Sequence, residues 1–274
     1  HGGSWRRGDR NHRWFDSYNR LCTQLCRNME FVVVNVGYRL SPEVKHPDHM
    51  LDILSAFKFV QENIHQYLGD SSRIILTGHS AGAHLSLLCC FYTIDPSLFS
   101  FTFNHVFPTD FIKGIAPVSA VLDVSKLSTM NLFVSKYIVD AAFDKHPDTK
   151  DYEYVSPIAL VQKLLEKGKV VPPMLLMNAA NDWSLEHQTP LFLSLFNENP
   201  NYSAKHYADS GTTHLSIIGL SSAFGNPYSG IIADIADFSR RTLLLDQSQQ
   251  INKQPCIIIA STGTDQVDQV QYAL

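Results

Sequence analysis

Gly78-His79-Ser80-Ala81-Gly82 is the stretch of this chain best suited to covalent chemistry. It reads G-x-S-x-G between an apolar run at 73–77 and a run free of Gly and Pro at 83–90. That context predicts a strand, a sharp turn and a helix. Backbone passes close to backbone in such a turn, so glycines flank a serine held at a strained apex with its hydroxyl exposed. A serine hydroxyl is a weak nucleophile at neutral pH. It needs a base within hydrogen-bond reach and a third group to orient that base. Asp182 is the candidate acid, because Asn181-Asp182 directly follows an apolar run at 174–179. Glu186 is the alternative one helical turn later, and Asp182 also suits the N-cap of a helix. Of the twelve histidines, His214 is the candidate base, in the turn-rich Asp209-Ser210-Gly211-Thr212-Thr213-His214. His206 competes from inside a strand pattern, His187 from a helix, and His79 and His84 flank the serine. The oxyanion formed on attack needs preorganised donors. These are expected from the N–H of Ala81 and from the opening loop His1-Gly2-Gly3, where Gly2 and Gly3 can turn N–H groups toward a substrate.

Elements to hold these residues are legible on either side. Residues 12–29 have apolar positions at three- and four-residue spacing and predict a helix. Residues 31–36 are apolar at nearly every position, the mark of a strand buried on both faces in a parallel sheet. Ser41-Pro42 and His46-Pro47 mark a loop. A helix over 48–67, the elbow strand at 73–77, strands at 111–118 and 173–179, a helix over 185–197, a weak strand at 203–207 and a helix over 228–245 follow. Residues 120–165 break the alternation and read as a mostly helical excursion rich in aromatics. After Leu245 the chain turns polar and Gln-rich, so 246–274 reads as an appended tail. The alternation predicts an α/β domain, a mainly parallel sheet with helices on both faces. Reactive groups in such sheets gather beyond the carboxyl ends of the strands.

Composition narrows the function classes. A net charge of −4 supplies no basic field for nucleic acid or an anionic membrane. No apolar run reaches the ~18 residues of a membrane span. Cys22, Cys26, Cys89, Cys90 and Cys256 are odd in number and form no disulfide framework. They read as buried thiols of a reducing, cytoplasmic compartment. Zinc is the alternative, without Cys or His partners at ligand spacing. No metal or other cofactor is called for.

His1-Gly2-Gly3-Ser4-Trp5 together with Gly78-His79-Ser80-Ala81-Gly82-Ala83-His84 resembles the α/β-hydrolase superfamily. The resemblance is to the branch of kynurenine formamidases (arylformamidases), small carboxylesterases and hormone-sensitive-lipase-like esterases. Tyr38-Arg39-Leu40-Ser41-Pro42 is similar to its Y-R-L-x-P stretch, and Ser156-Pro157-Ile158 to its segment near the end of the cap. The resemblance implies a domain over 1–245 with a cap at 120–165, Ser80 as nucleophile, His214 as base and Asp182 as acid. It implies an oxyanion hole of Gly2, Gly3 and Ala81. Ser4 departs from the pattern, standing where lipase-like members have a third glycine. The strand that precedes His-Gly-Gly in the family is absent. Missing N-terminal strands imply a gap between the strands at 31–36 and 73–77, unpaired edges there and a fragment unstable on its own. Any targeting signal would be missing with them. The expected activity is acyl transfer from a small-molecule ester, with N-formylkynurenine or another aryl formamide as the alternative substrate. A non-catalytic binding protein on the same fold is the reading of another class.

Overall fold

Alternate residues of the strands bury on opposite faces of one parallel sheet. The computed structural model describes residues 1–8, 17–29, 31–144, 152–219, 227–243 and 254–260, the last as backbone. Helix α1 (Ser17–Met29) leads to β1 (Val32–Val36), α2 (Asp48–Asn63), β2 (Gly69–His79) and α3 (Ala81–Ile94). Then come β3 (Ile112–Val118), α4 (Val124–Thr129), the single turn α5 (Asp140–Ala142), α6 (Pro157–Glu166) and β4 (Met174–Ala179). Helix α7 (Gln188–Ser194), β5 (Tyr202–Tyr207), α8 (Ser229–Thr242) and β6 (Gln254–Ala260) complete the described elements. The strands lie in the order β1-β6-β2-β3-β4-β5, every pair parallel.

Val34, Val36, Ile74 and Leu76 pack on one face with Met50, Ile53 and Phe57 of α2 and Leu85 and Leu88 of α3. Val33, Ile75, Ala116 and Met177 pack on the other with Tyr18, Leu21 and Leu25 of α1 and Ile231 and Ile235 of α8. Two covered faces explain why the first strand is apolar almost throughout. Every residue of α3 is buried, so the helix behind the serine shows no amphipathic stripe.

The expected gap is where the structure departs most from the sequence reading. Strand β6 fills it: Ile258 lies opposite Val34 on one side and Leu76 on the other. The polar tail is corrected accordingly for residues 254–260. The run Cys256-Ile257-Ile258-Ile259-Ala260 has the apolar, β-branched composition of an interior strand. Two facing edges with unpaired N–H and C=O groups provide the slot for it. The expected instability rested on those open edges and loses its premise. Residues 9–16 of the first helix region, 244–253 and 261–274 lie outside the described residues.

Smaller differences concern element ends. The helix expected over 48–67 stops at Asn63 and closes in a 3-10 turn, Ile64–Tyr67. The elbow strand starts at Gly69 instead of 73. The excursion holds α4, a π-helical turn over Val134–Val139, α5 and most of α6. Among the described residues no helix is long and apolar enough to cross a membrane.

Burial holds several histidines neutral. It lowers His84 from an ordinary 6.5 to about 3 and His49 to about 4. It also pushes His79 well below that ordinary value. The unfolded chain takes up these protons near pH 6.5 while the folded chain resists, so stability falls as pH drops from about 6.5 toward 3–4. One pKa unit is ~1.4 kcal/mol, so even a fraction of these shifts weighs against the ~5–15 kcal/mol of a domain. The expected result is a melting temperature level between about pH 7 and about pH 8 that declines steadily below pH 6.5. A flat profile down to pH 4 would contradict it.

Candidate active site

Strand β2 ends at His79 and α3 begins at Ala81, so Ser80 occupies the turn alone. Its φ of 52° and ψ of −119° lie where few non-glycine residues go. The turn is held at both ends: Ser80 N–H donates to the Val118 carbonyl at 2.9 Å, and the Ser80 carbonyl accepts from His84 N–H at 3.0 Å. A Cβ on Gly78 would lie 2.6 Å from the Gly82 carbonyl oxygen, so this position requires glycine.

Three of the expected site residues meet in a line. Ser80 Oγ lies 2.9 Å from His214 Nε2, and His214 Nδ1 lies 2.6 Å from Asp182 Oδ1. All three are buried, Asp182 completely. An ionised carboxylate only accepts, so it keeps the proton of His214 on Nδ1 and leaves Nε2 to accept from the serine hydroxyl. The loops that carry Asp182 and His214 are knitted together by Asn181. Its N–H donates to the Thr212 carbonyl at 3.0 Å, and its carbonyl accepts from His214 N–H at 2.8 Å. Asp182 Oδ2 accepts from Asn178 Nδ2 at 2.8 Å and from Ala179 N–H at 3.3 Å. Thr189 donates to Asn178 Oδ1 at 2.8 Å and so fixes which way that amide faces. The alternatives lie elsewhere: Glu186 is 3.7 Å from His187, and His187 and His206 are exposed. His84 accepts from Trp5 Nε1 at 3.2 Å and bonds the Val155 carbonyl at 2.7 Å.

The opening loop sits beside the elbow, with one departure. Gly2 N–H donates to Tyr18 Oη at 2.7 Å, which removes it from the set of free oxyanion donors expected at Gly2, Gly3 and Ala81. Gly2 still requires glycine, because a Cβ there would stand 2.7 Å from His79 Nδ1 and 2.8 Å from Ser80 Cβ. Gly3 has φ +119°, and Ser4 and Trp5 follow at +55° and +58°. Ser4 therefore adopts, at a steric cost, a conformation a third glycine would take freely. Ala81 opens α3, and the leading N–H groups of a helix have no carbonyl one turn back to bind. The Tyr38–Ser41 stretch buttresses this loop: Tyr38 Oη donates to the His1 carbonyl at 2.9 Å, and the Trp5 carbonyl accepts from Ser41 N–H at 2.8 Å.

A cavity of about 230 Å³ opens on the serine. Trp5, Val121, Leu127, Met130, Val134 and Ile138 make it apolar, and Ser80, Trp183 and His214 reach into it. Sequence reading missed Trp183, whose ring stacks on His214 with centroids 4.1 Å apart at 24°. It stands there because Trp183 and Ser184 both take positive φ, +55° and +67°, a turn that no residue propensity marks. Tyr18 was legible only as one apolar position of a helix. Ser156, from the Ser-Pro segment, joins the excursion to the core by accepting from Val124 N–H at 3.0 Å.

The family model described as the alpha/beta hydrolase fold matches residues 1–209, and the chain belongs to that family. Within it the chain is similar to esterase LipQ of Mycobacterium tuberculosis, 25% identical over 185 residues that cover 66% of this chain and 40% of the relative. It is also similar to kynurenine formamidase of Scheffersomyces stipitis, 31% identical over 143 residues, 45% of this chain and 52% of the relative. The chain thus spans about two fifths to half the length of these curated relatives. Among solved structures, esterase B from Lactobacillus rhamnosis inhibited by a tributyrin phosphonate shares the fold. Its TM-score is 0.68 at 23% identity, covering 89% of this chain and 74% of that one.

Proposed function

We propose that this chain is the core of a serine hydrolase that cleaves small carboxylic esters through an acyl-enzyme. The observation that carries the reading is the continuous line of Ser80, His214 and Asp182, bonded at 2.9 and 2.6 Å, at the floor of an apolar cavity. Ser80 Oγ attacks the ester carbonyl carbon while His214 Nε2 takes its proton. The C–O bond to the leaving alcohol breaks as His214 returns that proton to it. Water then attacks the acyl-enzyme by the same route, releasing the carboxylic acid and restoring Ser80. Asp182 stabilises the imidazolium formed in each half, and the Trp183 ring face adds a cation–π contact to it. Gly3 and Ala81 are the proposed oxyanion donors. The balance needs only ester and water, with no cofactor.

A formamide substrate is the second reading, favoured by similarity to the kynurenine formamidases of Scheffersomyces stipitis, 31% identical over 143 residues, and Debaryomyces hansenii, 37% identical over 90 residues that cover 32% of this chain. The two readings share Ser80, His214 and Asp182 and differ in acyl room. A formyl group needs almost none, whereas an ester acyl chain must share the cavity of about 230 Å³ with its leaving group. The expected results are covalent labelling by a fluorophosphonate that disappears in Ser80→Ala, and kcat/KM on p-nitrophenyl butyrate above that on N-formylkynurenine. The reverse substrate order selects the formamidase. Folded protein that takes no label refutes the mechanism and leaves a binding role on this fold.

A further inference from the structure

We propose that Tyr18 and His79 are a positioning pair that holds the oxyanion loop, the nucleophile elbow and the backbone of the base in one register. This rests on the serine-hydrolase reading. Three bonds carry it: Gly2 N–H to Tyr18 Oη at 2.7 Å, Tyr18 Oη to His79 Nδ1 at 2.9 Å, and His79 Nε2 to the His214 carbonyl at 2.8 Å. One arrangement of protons satisfies all three. A carbonyl can only accept, so the proton of a neutral His79 is on Nε2. Nδ1 is then bare and must be the acceptor of the Tyr18 hydroxyl. The hydroxyl, having given its proton there, uses a lone pair to accept Gly2 N–H. The path has a fixed direction from residue 2 to residue 214.

Its parts belong to three separate pieces of the site. Gly2 leads into the Gly3 donor, His79 is bonded covalently to Ser80, and the His214 carbonyl belongs to the base itself. The pair occupies the interior, with Tyr18 4% and His79 2% exposed, so water does not substitute readily for either. Gly2 approaches His79 so closely that a Cβ there would sit 2.7 Å from Nδ1. Any shift of one piece must therefore be followed by the other. Neutrality matters too. The His79 and His214 rings lie 4.8 Å apart, and a cation on His79 would oppose the imidazolium that His214 becomes during attack. Burial and the neighbouring His214 both hold His79 uncharged.

A lost oxyanion donor costs about 10²–10³ in rate, and a displaced one costs part of that. Tyr18→Phe keeps the ring and removes both bonds. The expected result is a kcat on p-nitrophenyl butyrate, per Ser80 titrated by fluorophosphonate, lowered about 10- to 100-fold with KM within about threefold. Affinity for a trifluoromethyl ketone, which forms a tetrahedral adduct on Ser80, should fall in parallel. His79→Gln offers one acceptor and one donor and should retain at least fivefold more kcat per titrated site than His79→Leu, which offers neither. This comparison decides if Tyr18→Phe does not fold. Wild-type kcat per titrated site and wild-type adduct affinity in Tyr18→Phe overturn the pair, as does equal activity in the two His79 variants. Those results leave the hydrolase reading standing. A folded wild-type protein that takes no label overturns both.

Discussion

Asp182→Asn is expected to remove about four orders of magnitude from kcat while the fold stands. The reason lies in what surrounds the carboxylate. Its Oδ2 accepts from Asn178 Nδ2 and Ala179 N–H, two donors held in place by Thr189 and by the strand backbone. An asparagine amide in this pocket must turn its oxygen toward those two donors. Its NH2 then faces His214 Nδ1, where a carboxylate oxygen stood at 2.6 Å. A donor at that place forces His214 to accept on Nδ1 and carry its proton on Nε2, facing Ser80 Oγ with a donor instead of an acceptor. The serine loses its base without any displaced atom. Four orders of magnitude correspond to ~5.5 kcal/mol of barrier. The measurement is kcat on p-nitrophenyl butyrate, beside a melting curve close to wild type. Glu186→Gln, which tests the other sequence candidate, should stay within about threefold. More than a tenth of wild-type activity in Asp182→Asn would sink the assignment of the acid.

What was legible follows from which constraints are local. The elbow is local: Gly78 and Gly82 must approach each other, and the serine must follow a strand and precede a helix, all within five residues. The meeting of Asp182 and His214 with Ser80 was legible for a topological reason, since parallel strands deliver loops to one end of a sheet and Asp182 and His214 each follow a strand. Other features depend on tertiary partners. Gly2 looked like an oxyanion donor because its type permits the role, yet whether its N–H is free depends on Tyr18, sixteen residues away and on another element. Trp183 depends on two successive positive φ values. Strand β6 was hidden by its flanks: polar residues on both sides made a short apolar run read as part of a tail. Its role becomes visible only when β1 and β2 are seen to lie one strand apart.

Ending the chain at Lys253 is therefore expected to abolish cooperative folding. Strand β6 pairs with five residues of β1 and six of β2, so its removal strips partners from two interior edges at once. Each lost hydrogen bond is worth ~1 kcal/mol net, and a buried group left unpaired costs ~1–3 kcal/mol. Summed over two edges, that exceeds the ~5–15 kcal/mol that holds a domain together. The loss falls on the site as well, because β2 carries Ser80 at its carboxyl end and would keep only β3 at its side. Exposed parallel edges also recruit other chains. The truncated protein should elute as aggregate in size-exclusion chromatography, melt without a cooperative transition and take less than a tenth of the wild-type fluorophosphonate label. A synthetic peptide of residues 254–274 added during refolding should restore part of that label, since the slot it enters is defined by two existing edges. A soluble truncated protein with a wild-type melting curve would mean that β1 and β2 close on each other or tolerate the gap. The interior position of β6 would then be structurally dispensable to the elbow it flanks.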